Sequence, residues 1–280
     1  MNKSAKSPLR YPGGKSRALK KILPLIPSNI TEFREPLVGG GSVFFAIRSI
    51  FQNNIKSYWI NDLNYDLYCF WKQVRDNVSD LVKELTKTHT TTTDGRALFK
   101  ELTEKRDLLC KNKDMLPEFE RAVRFFILNR ITFSGTVDSG GYSQEAYEKR
   151  FTPSSIERVE MISPYLSGIK ITNEDYTEAL FHDGDDVFIF LDPPYWKATE
   201  SKLYGARGKL HTSFNHEQFA ENMKKCPHKW LITYDDSPMI RDLFDSPDVR
   251  ISKWTLQYGM NNYLKETAAK GNELFIKNYE

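Results

Sequence analysis

The chain has few of the features that mark membrane proteins or disulfide-rich proteins. It contains three cysteines among 280 residues, Cys69, Cys110 and Cys226, with no Cys-x-x-Cys pair and no histidine at ligand spacing. Neither a disulfide framework nor a metal site is therefore predicted. No apolar run approaches the roughly 20 residues that a membrane-spanning helix needs, so a membrane protein is not expected.

The first eight residues lack the apolar core of a secretory signal, and a cytoplasmic protein is expected. An excess of one charge is missing too, because 40 lysines and arginines face 37 aspartates and glutamates. A net charge of +3 permits nucleic acid as a partner without requiring it, so a basic face has to be sought locally. Basic residues cluster between residues 3 and 21 and again at Arg121, Arg124 and Arg130. Ordinary solvated surface is the competing interpretation of each cluster.

Hydrophobic periodicity predicts an α/β sheet that is interrupted by a helical segment. Strands are predicted over 32–38, 57–62, 169–172, 187–191, 230–234, 250–256 and 274–276. Helices are predicted over 16–25, 43–51 with Ser42 as N-cap, 68–78, 95–110 and 117–131. The threonine tract 88–93, which contains His89, is predicted to be a flexible connection, and the segment 135–147 a mobile loop.

The domain organisation follows from this alternation. Residues 1–65 and 157–280 are expected to form the two parts of a catalytic sheet domain. Residues 66–156 are expected to form an inserted helical domain.

A glycine turn, Gly39-Gly40-Gly41, follows the first predicted strand, at the edge where open α/β sheets bind ligands. Glycine there lets a ligand approach the backbone, although the turn's own geometry explains it equally well. The motif is not a dinucleotide fingerprint, since the third glycine would fall at Phe44. Asp62 ends the next strand, where its carboxylate can hold a ribose diol or cap a helix.

The most specific motif is Asp192-Pro193-Pro194-Tyr195, directly after a buried apolar strand. The N6 amine of adenine is a poor nucleophile because its lone pair is delocalised into the ring. The Asp192 carboxylate and the Pro193 carbonyl can each accept one N–H, which aims the lone pair at an electrophilic methyl group. Tandem prolines present acceptors without N–H groups, and Tyr195, with Trp196, can stack on an extruded base.

Together these motifs resemble those of the Dam-like N6-adenine DNA methyltransferases, the D12 class, in the alpha group, whose cofactor motif precedes the recognition insertion. The resemblance covers nearly the whole chain. It extends to Leu-Arg-Tyr-Pro-Gly-Gly-Lys at residues 9–15, to Leu-Asn-Arg at 128–130 and to Asn-Glu-Leu-Phe-Ile at 272–276.

The resemblance implies a class I S-adenosylmethionine methyltransferase fold, a seven-stranded, mostly parallel sheet with an inserted helical DNA-recognition domain. It implies methyl transfer from S-adenosylmethionine, without a metal, to N6 of a flipped adenine in double-stranded DNA. The implied cofactor residues are Tyr11, Lys15, Pro36, Gly39, Gly41, Ser42, Asp62, Tyr176 and Asp192. The implied catalytic residues are Asp192, Pro193, Pro194 and Tyr195, and the implied DNA contacts are Arg10, Arg124, Arg130, Phe133, Ser134 and Asp138.

The sequence departs from the family at the positions that read DNA. Members that read GATC carry an asparagine and an arginine after Leu-Asn-Arg, where this chain has Ser134 and Asp138, so GATC is not the expected target. Phe133 stands where an aromatic wedge is expected. The loop 197–214 is predicted to close over the substrate. A cognate restriction endonuclease acting separately is a further expected partner.

Two other interpretations stay open on the sequence alone. One is methylation of RNA or of a protein amide by related Asp-Pro-Pro-Tyr chemistry. The other is a non-catalytic DNA-binding or restriction-system subunit that kept the fold. Methyl transfer to DNA distinguishes both from the main hypothesis.

Overall fold

The computed structural model describes residues 5–51, 54–104, 106–109, 111–196, 214–257 and 270–280. Its strands are β1 (Glu32–Glu35), β2 (Ser57–Asn61), β3 (Lys170–Thr172), β4 (Val187–Leu191), β5 (Lys229–Asp235), β6 (Arg250–Gln257) and β7 (Lys270–Lys277). They form one central sheet in the order β3-β2-β1-β4-β5-β7-β6. Neighbouring strands among the first five in this order are parallel, whereas β7 runs antiparallel to both β5 and β6. The predicted seven-stranded α/β sheet is confirmed.

Helices cover both faces of this sheet. They are α1 (Leu19–Ile22), α2 (Ser42–Ile50), α3 (Tyr65–Asp76), α4 (Val78–Thr91), α5 (Gly95–Thr103), α6 (Arg106–Leu109), α7 (Glu118–Ile131), α8 (Gln144–Arg150), α9 (Pro153–Leu166), α10 (Tyr176–Phe181), α11 (His216–Lys225) and α12 (Pro238–Leu243). Of the helices in the described part of the chain, none is both long and apolar enough to cross a lipid bilayer.

The central strand β4 shows why both faces are covered. All five of its residues are buried, and their side chains alternate between two clusters. Phe188 and Phe190 pack into the larger cluster on one face, whereas Ile189 and Leu191 pack into a smaller cluster on the other. A continuous apolar run is what a parallel strand needs when neither face meets water.

The helical segment shares the core of the sheet. Phe125 and Phe126 of α7 belong to the same buried cluster as Phe33 of β1, and Phe126 stacks on Phe70 of α3 with ring centroids 5.7 Å apart. The predicted boundaries after residues 65 and 156 fall inside α3 and α9. The division into domains stays a prediction.

Several predicted local elements differ from the structure. The predicted helix 16–25 is broken into two 3-10 turns around α1, because Pro24 starts a new turn without an N–H. The threonine tract is not a flexible connection, since α4 continues to Thr91, whose hydroxyl donates to the Lys87 carbonyl. His89 therefore lies on a helix, edge-on to Phe151.

The segment 135–147 is more ordered than predicted. Thr132 and Tyr142 form a β-bridge across it, and α8 begins at Gln144 with Ser143 as its N-cap. Ser42 is the first residue of α2, and Gly41 precedes it in the left-handed conformation. The predicted N-cap role of Ser42 is therefore wrong.

Candidate active site

A cavity of about 790 Å³ lies at the carboxyl ends of the parallel strands. Its walls include residues at or just after the carboxyl ends of β1, β2, β3 and β4, namely Glu35, Asp62, Glu174 and Asp192. The chain order reverses between β1 and β4, and this is the point where open α/β sheets bind ligands. The predicted site residues that line it are Tyr11, Lys15, Gly39, Ser42, Asp62, Ser134, Tyr176, Asp192, Pro193, Pro194 and Tyr195.

The glycine turn is shaped by the ring of Tyr11. Gly39 has a φ of +47°, and a Cβ built on it would lie 2.7 Å from Cε1 of Tyr11. A Cβ on Gly40 would also lie 2.7 Å from the Cβ of Tyr11. Glycine is required here because Tyr11 packs directly on the backbone of the turn. Pro36 and Gly41 do not line the cavity, so the structure gives them no direct contact with it.

Asp62 links the turn to the second strand. Its Oδ2 accepts a hydrogen bond of 2.9 Å from the Gly39 N–H, and its Oδ1 accepts one of 2.9 Å from the Asn64 N–H. Asn64, not Asp62, caps α3, by accepting from the N–H groups of Asp66 and Leu67. Burial raises the pKa of Asp62 to about 6, and the two N–H donors oppose that rise. Each carboxylate oxygen keeps a further lone pair for a ligand hydroxyl.

Glu35, the last residue of β1, lines the cavity and was not among the predicted site residues. It is 3% exposed, and its Oε2 has no hydrogen-bond partner. Burial, and next the negative charge of Asp192, raise the pKa of Glu35 well above its ordinary value. An acidic residue at the end of a buried strand was the available sequence signal.

Asp192 is held by two donors on opposite sides. Lys15, which is 4% exposed, donates from Nζ to Oδ2 at 2.7 Å, and Thr233 of β5 donates from Oγ1 to Oδ1 at 2.8 Å. Lys15 also donates to the Gly13 carbonyl and lies 4.8 Å from the ring centroid of Tyr195. A carboxylate has about four acceptor positions, so Asp192 keeps room for another donor.

Tyr176 contributes an aromatic ring to the wall of the cavity. Its hydroxyl accepts a hydrogen bond of 2.9 Å from Nδ2 of Asn222, and its ring lies 5.4 Å from Phe219 and 6.2 Å from Phe214. Asn222 and Phe214 also line the cavity. No spacing in the sequence indicated them, because only the fold brings α11 beside α10. Most of the predicted closing loop, residues 197–213, lies outside the described residues.

A turn from the helical segment reaches the same cavity. Ser134 lines it with a φ of 54°, and the neighbouring Phe133 is 62% exposed. Asn129, which is fully buried, fastens this turn to the N-terminal motif. Its Oδ1 accepts from the Arg10 N–H, and its Nδ2 donates to the carbonyls of Arg10 and Gly135. The predicted recognition turn and the predicted cofactor motif are therefore bonded together.

Arg10 and Arg130 lie beside this turn among like charges. Arg130 is 4% exposed, and its Nε has no partner. Burial, and next the positive charges of Arg158, Arg10 and Arg150, lower the pKa of Arg130 to about 9. Arg150 and Arg158 are exposed. Four guanidinium groups therefore gather at one end of α7.

Arg124, a predicted DNA contact, lies in an internal ion pair, and its contact with DNA stays a prediction. Arg124 is 5% exposed, and its Nη1 pairs with Oδ2 of Asp66 at 2.8 Å, while its Nε donates to the Leu102 carbonyl. Asp138 lies near the same internal charges: burial, and next the negative charge of Asp66, raise its pKa, whereas the positive charges of Arg124 and Arg106 oppose that rise. Both side chains therefore face an ion network inside the helical segment.

The strand order, with its reversed seventh strand, is the class I methyltransferase fold. The chain belongs to the D12 class N6 adenine-specific DNA methyltransferase family, whose model matches residues 11–260. The family assignment made from the motifs is confirmed.

Curated relatives agree with this family. The chain is 29% identical over 245 residues to the type II methyltransferase M1.LlaDCHI of Lactococcus lactis subsp. cremoris, covering 85% of this chain and 76% of the relative. It is 28% identical to M.MjaIII of Methanocaldococcus jannaschii, covering 67% and 68%. It is 25% identical to M.CviBI of Paramecium bursaria Chlorella virus NC1A, covering 85% of both chains.

Proposed function

We propose that the protein is a site-specific enzyme that moves a methyl group from S-adenosylmethionine to N6 of an adenine flipped out of duplex DNA. The observation that carries this proposal is the position of Asp192-Pro193-Pro194-Tyr195. The motif follows β4 and lines the same cavity as Asp62 and the glycine turn. An acceptor set for an amino group thus adjoins a site suited to adenosine.

The charges of the cavity support S-adenosylmethionine as the ligand. Glu35, Asp62 and Asp192 all line it, and Lys15 is the one lysine or arginine among its described lining residues. A ligand that carries positive charge would match the carboxylates of Asp62 and Asp192 and would favour the ionised form of Glu35, whose Oε2 has no partner and whose pKa burial raises. S-adenosylmethionine has a sulfonium and an ammonium group, and when bound it supplies an electrophilic methyl group.

Particular residues would hold the parts of this cofactor. Asp62 has free lone pairs for the ribose hydroxyls, and the Tyr11 ring stands over the glycine turn. Lys15, near the methionine part, contributes a positive charge, and Glu35 contributes an acceptor for an ammonium. Tyr176 borders the adenine ring. Ser42 lines the cavity, whereas Pro36 and Gly41 support the turn from behind it.

The protein's own contribution to the reaction is polarisation and positioning. The Asp192 carboxylate accepts one N–H of the target amine, and the Pro193 carbonyl accepts the other, which makes the nitrogen more tetrahedral. The ion pair with Lys15 and the bond from Thr233 hold the carboxylate in place before the base enters. The ring of Tyr195 stacks on the base.

The DNA would approach from the side of the helical segment. Phe133 is exposed beside the cavity and suits a wedge that enters the base stack when the adenine leaves. Ser134 borders the opening. Arg10 and Arg130, gathered with Arg150 and Arg158, suit a phosphate, whose negative charge would offset the excess of positive charge in this cluster.

The proposal extends to three further points. With Ser134 and Asp138 in the turn, the recognition sequence differs from GATC. The type II relatives support a separately acting cognate restriction endonuclease. Intracellular DNA as the substrate places the enzyme's action in the cytoplasm.

The decisive experiment measures tritiated methyl transfer from S-adenosylmethionine to unmethylated bacterial DNA, with N6-methyladenine identified in the hydrolysed product. Asp192→Asn is expected to lower the transfer rate by at least about 10²- to 10³-fold, because one acceptor with its charge is removed. Asp248→Asn, at an exposed aspartate, serves as the matched control and should keep full activity.

Two results would overturn the proposal. Full activity of Asp192→Asn would contradict the role of the motif. Transfer to RNA but not to duplex DNA would favour the alternative substrate.

A further inference from the structure

Three side chains of strands β5 and β7 hydrogen-bond to residues 192–196, the loop that carries the Asp-Pro-Pro-Tyr motif. Thr233 of β5 donates to Oδ1 of Asp192 at 2.8 Å, and Oδ1 of Asp235 accepts from the Trp196 N–H at 2.8 Å. On β7, Oε2 of Glu273 accepts from the Tyr195 hydroxyl at 2.8 Å. The loop is therefore held at three of its five residues, 192, 195 and 196.

These three supports share one face of the sheet. Thr233 and Asp235 are two residues apart on β5, and Asp235 is directly opposite Glu273 in the antiparallel ladder. Side chains two apart on a strand, and directly opposite across a ladder, project to the same side. The face thus presents polar groups to the loop at the point where β5 and β7 are paired.

Of these three side chains, Glu273 has the largest free-energy cost of burial. It is completely buried, and a carboxylate in that position is unfavourable unless hydrogen bonds compensate it. Its partner hydroxyl belongs to a ring that lines the cavity, with the Lys15 ammonium 4.8 Å from the ring centroid. Stacking on a base needs only the ring, so the hydroxyl serves to determine where the ring lies.

We infer that Glu273 is a positioning residue, which fixes the Tyr195 ring in the orientation that stacks on the target adenine. The inference rests on the proposed function, because it presupposes that Tyr195 contacts the base. Without the hydrogen bond from the Tyr195 hydroxyl to Glu273, the Tyr195 ring can rotate about its side-chain torsions. The adenine stacked on it then shifts, and its N6 amine moves away from the acceptors of Asp192 and Pro193. A misplaced base slows transfer while the cofactor part of the cavity stays unchanged.

A double-mutant cycle on kcat tests this, with Glu273→Ala, Tyr195→Phe and the pair of changes together. The substrate is bacterial DNA that lacks N6-methyladenine, and tritiated methyl transfer is the readout. Each single change is expected to lower kcat on the order of 10- to 100-fold. The kcat of the double variant should match that of Tyr195→Phe alone, because each change removes the same hydrogen bond between Tyr195 and Glu273. KM for S-adenosylmethionine should not change, and Glu273→Gln, which keeps an acceptor oxygen, should restore part of kcat.

Glu32→Ala is the matched control, since Glu32 pairs with Arg34 at the far end of β1. Any change in kcat that Glu32→Ala causes should be the same factor in the enzyme with Tyr195 and in the Tyr195→Phe variant. If Glu273→Ala does not fold, the cycle is run with Glu273→Gln. The inference is overturned if Glu273→Ala lowers kcat by the same factor in the Tyr195→Phe background as in the unaltered enzyme. It is also overturned if Glu273→Ala raises KM for S-adenosylmethionine by as large a factor as it lowers kcat. Absence of any methyl transfer by the unaltered enzyme overturns the proposed function itself.

Discussion

The cavity and the helical segment treat charged side chains in opposite ways. In the helical segment, Arg121 and Arg124 are buried and paired with one carboxylate, Asp66, at 2.5 and 2.8 Å. In the cavity, Glu35 is as deeply buried but has an oxygen without a partner. The two arginines have their counter-charge within the protein, whereas Glu35 keeps an acceptor oxygen that a bound ligand can use. Burial alone therefore does not distinguish a charged side chain with a structural role from one with a functional role. The distinction depends on whether the side chain has an ion-pair or hydrogen-bond partner within the protein.

The largest expected effect comes from breaking the completed network. Asp66→Ala leaves the Arg121 and Arg124 guanidinium groups without their counter-charge in the interior. The free energy of unfolding should fall by about 3–5 kcal/mol, measured by urea denaturation. Asp248→Asn, at an exposed aspartate, is the control. A loss below about 1 kcal/mol would mean that the network is solvated and that the contrast with the cavity is false.

Glu35→Gln should lower the affinity for the cofactor without lowering the stability of the fold. The charged acceptor for a cationic ligand is lost, so the affinity for S-adenosylmethionine should fall by about 10- to 100-fold in calorimetric titrations. The same change removes a buried acidic group whose pKa is raised by burial, so the thermal unfolding midpoint should not fall. A lower unfolding midpoint with unchanged affinity would assign Glu35 to structure instead.

The pH dependence of cofactor affinity should report on Asp62. Its pKa of about 6 means that the carboxylate is charged above that pH and gains a proton below it. Affinity for S-adenosylmethionine is expected to fall by up to about tenfold per pH unit below pH 6. The raised pKa also means that protonation favours the folded state, so the stability contributed by this group rises as the pH falls. Unfolding through Asp62 cannot therefore imitate the effect.

In Asp62→Asn, the affinity should be low and should not follow this pH profile. An unchanged profile in that variant would show that another group, such as Glu35, titrates in its place.

The smallest effect concerns the basic cluster outside the cavity. Arg158→Gln, at an exposed position, should reduce the slope of log Kd against log salt concentration by about 1 for duplex DNA. Arg124→Lys, inside the helical segment, should leave that slope unchanged, since Arg124 already has its carboxylate. If both variants changed the slope equally, the division between internal and DNA-facing arginines would fail.

Strand-end motifs were predictable because their chemistry is local in sequence. A buried apolar run followed by Asp-Pro-Pro-Tyr, or by glycines, places those residues at the ligand edge of a parallel sheet whatever the rest of the chain does. Asp62, Asp192 and the glycine turn accordingly line one cavity, and Tyr11 and Lys15, which the family resemblance implied, line it too. The internal ion pair of Arg124 was not predictable, because a family resemblance says nothing about which carboxylate faces a side chain.

The sequence by itself determined the alternation of strands and helices, the carboxyl-edge site and the family. Each of these depends on residues close together in the chain, on periodicity and on turn chemistry. Only the tertiary structure decided that Asn129 fastens the Phe133 turn to Arg10, that Glu273 supports Tyr195, and that Arg124 faces inward. These contacts join residues 119, 78 and 58 positions apart, and the packing of sheet and helices alone brings such partners within hydrogen-bond distance.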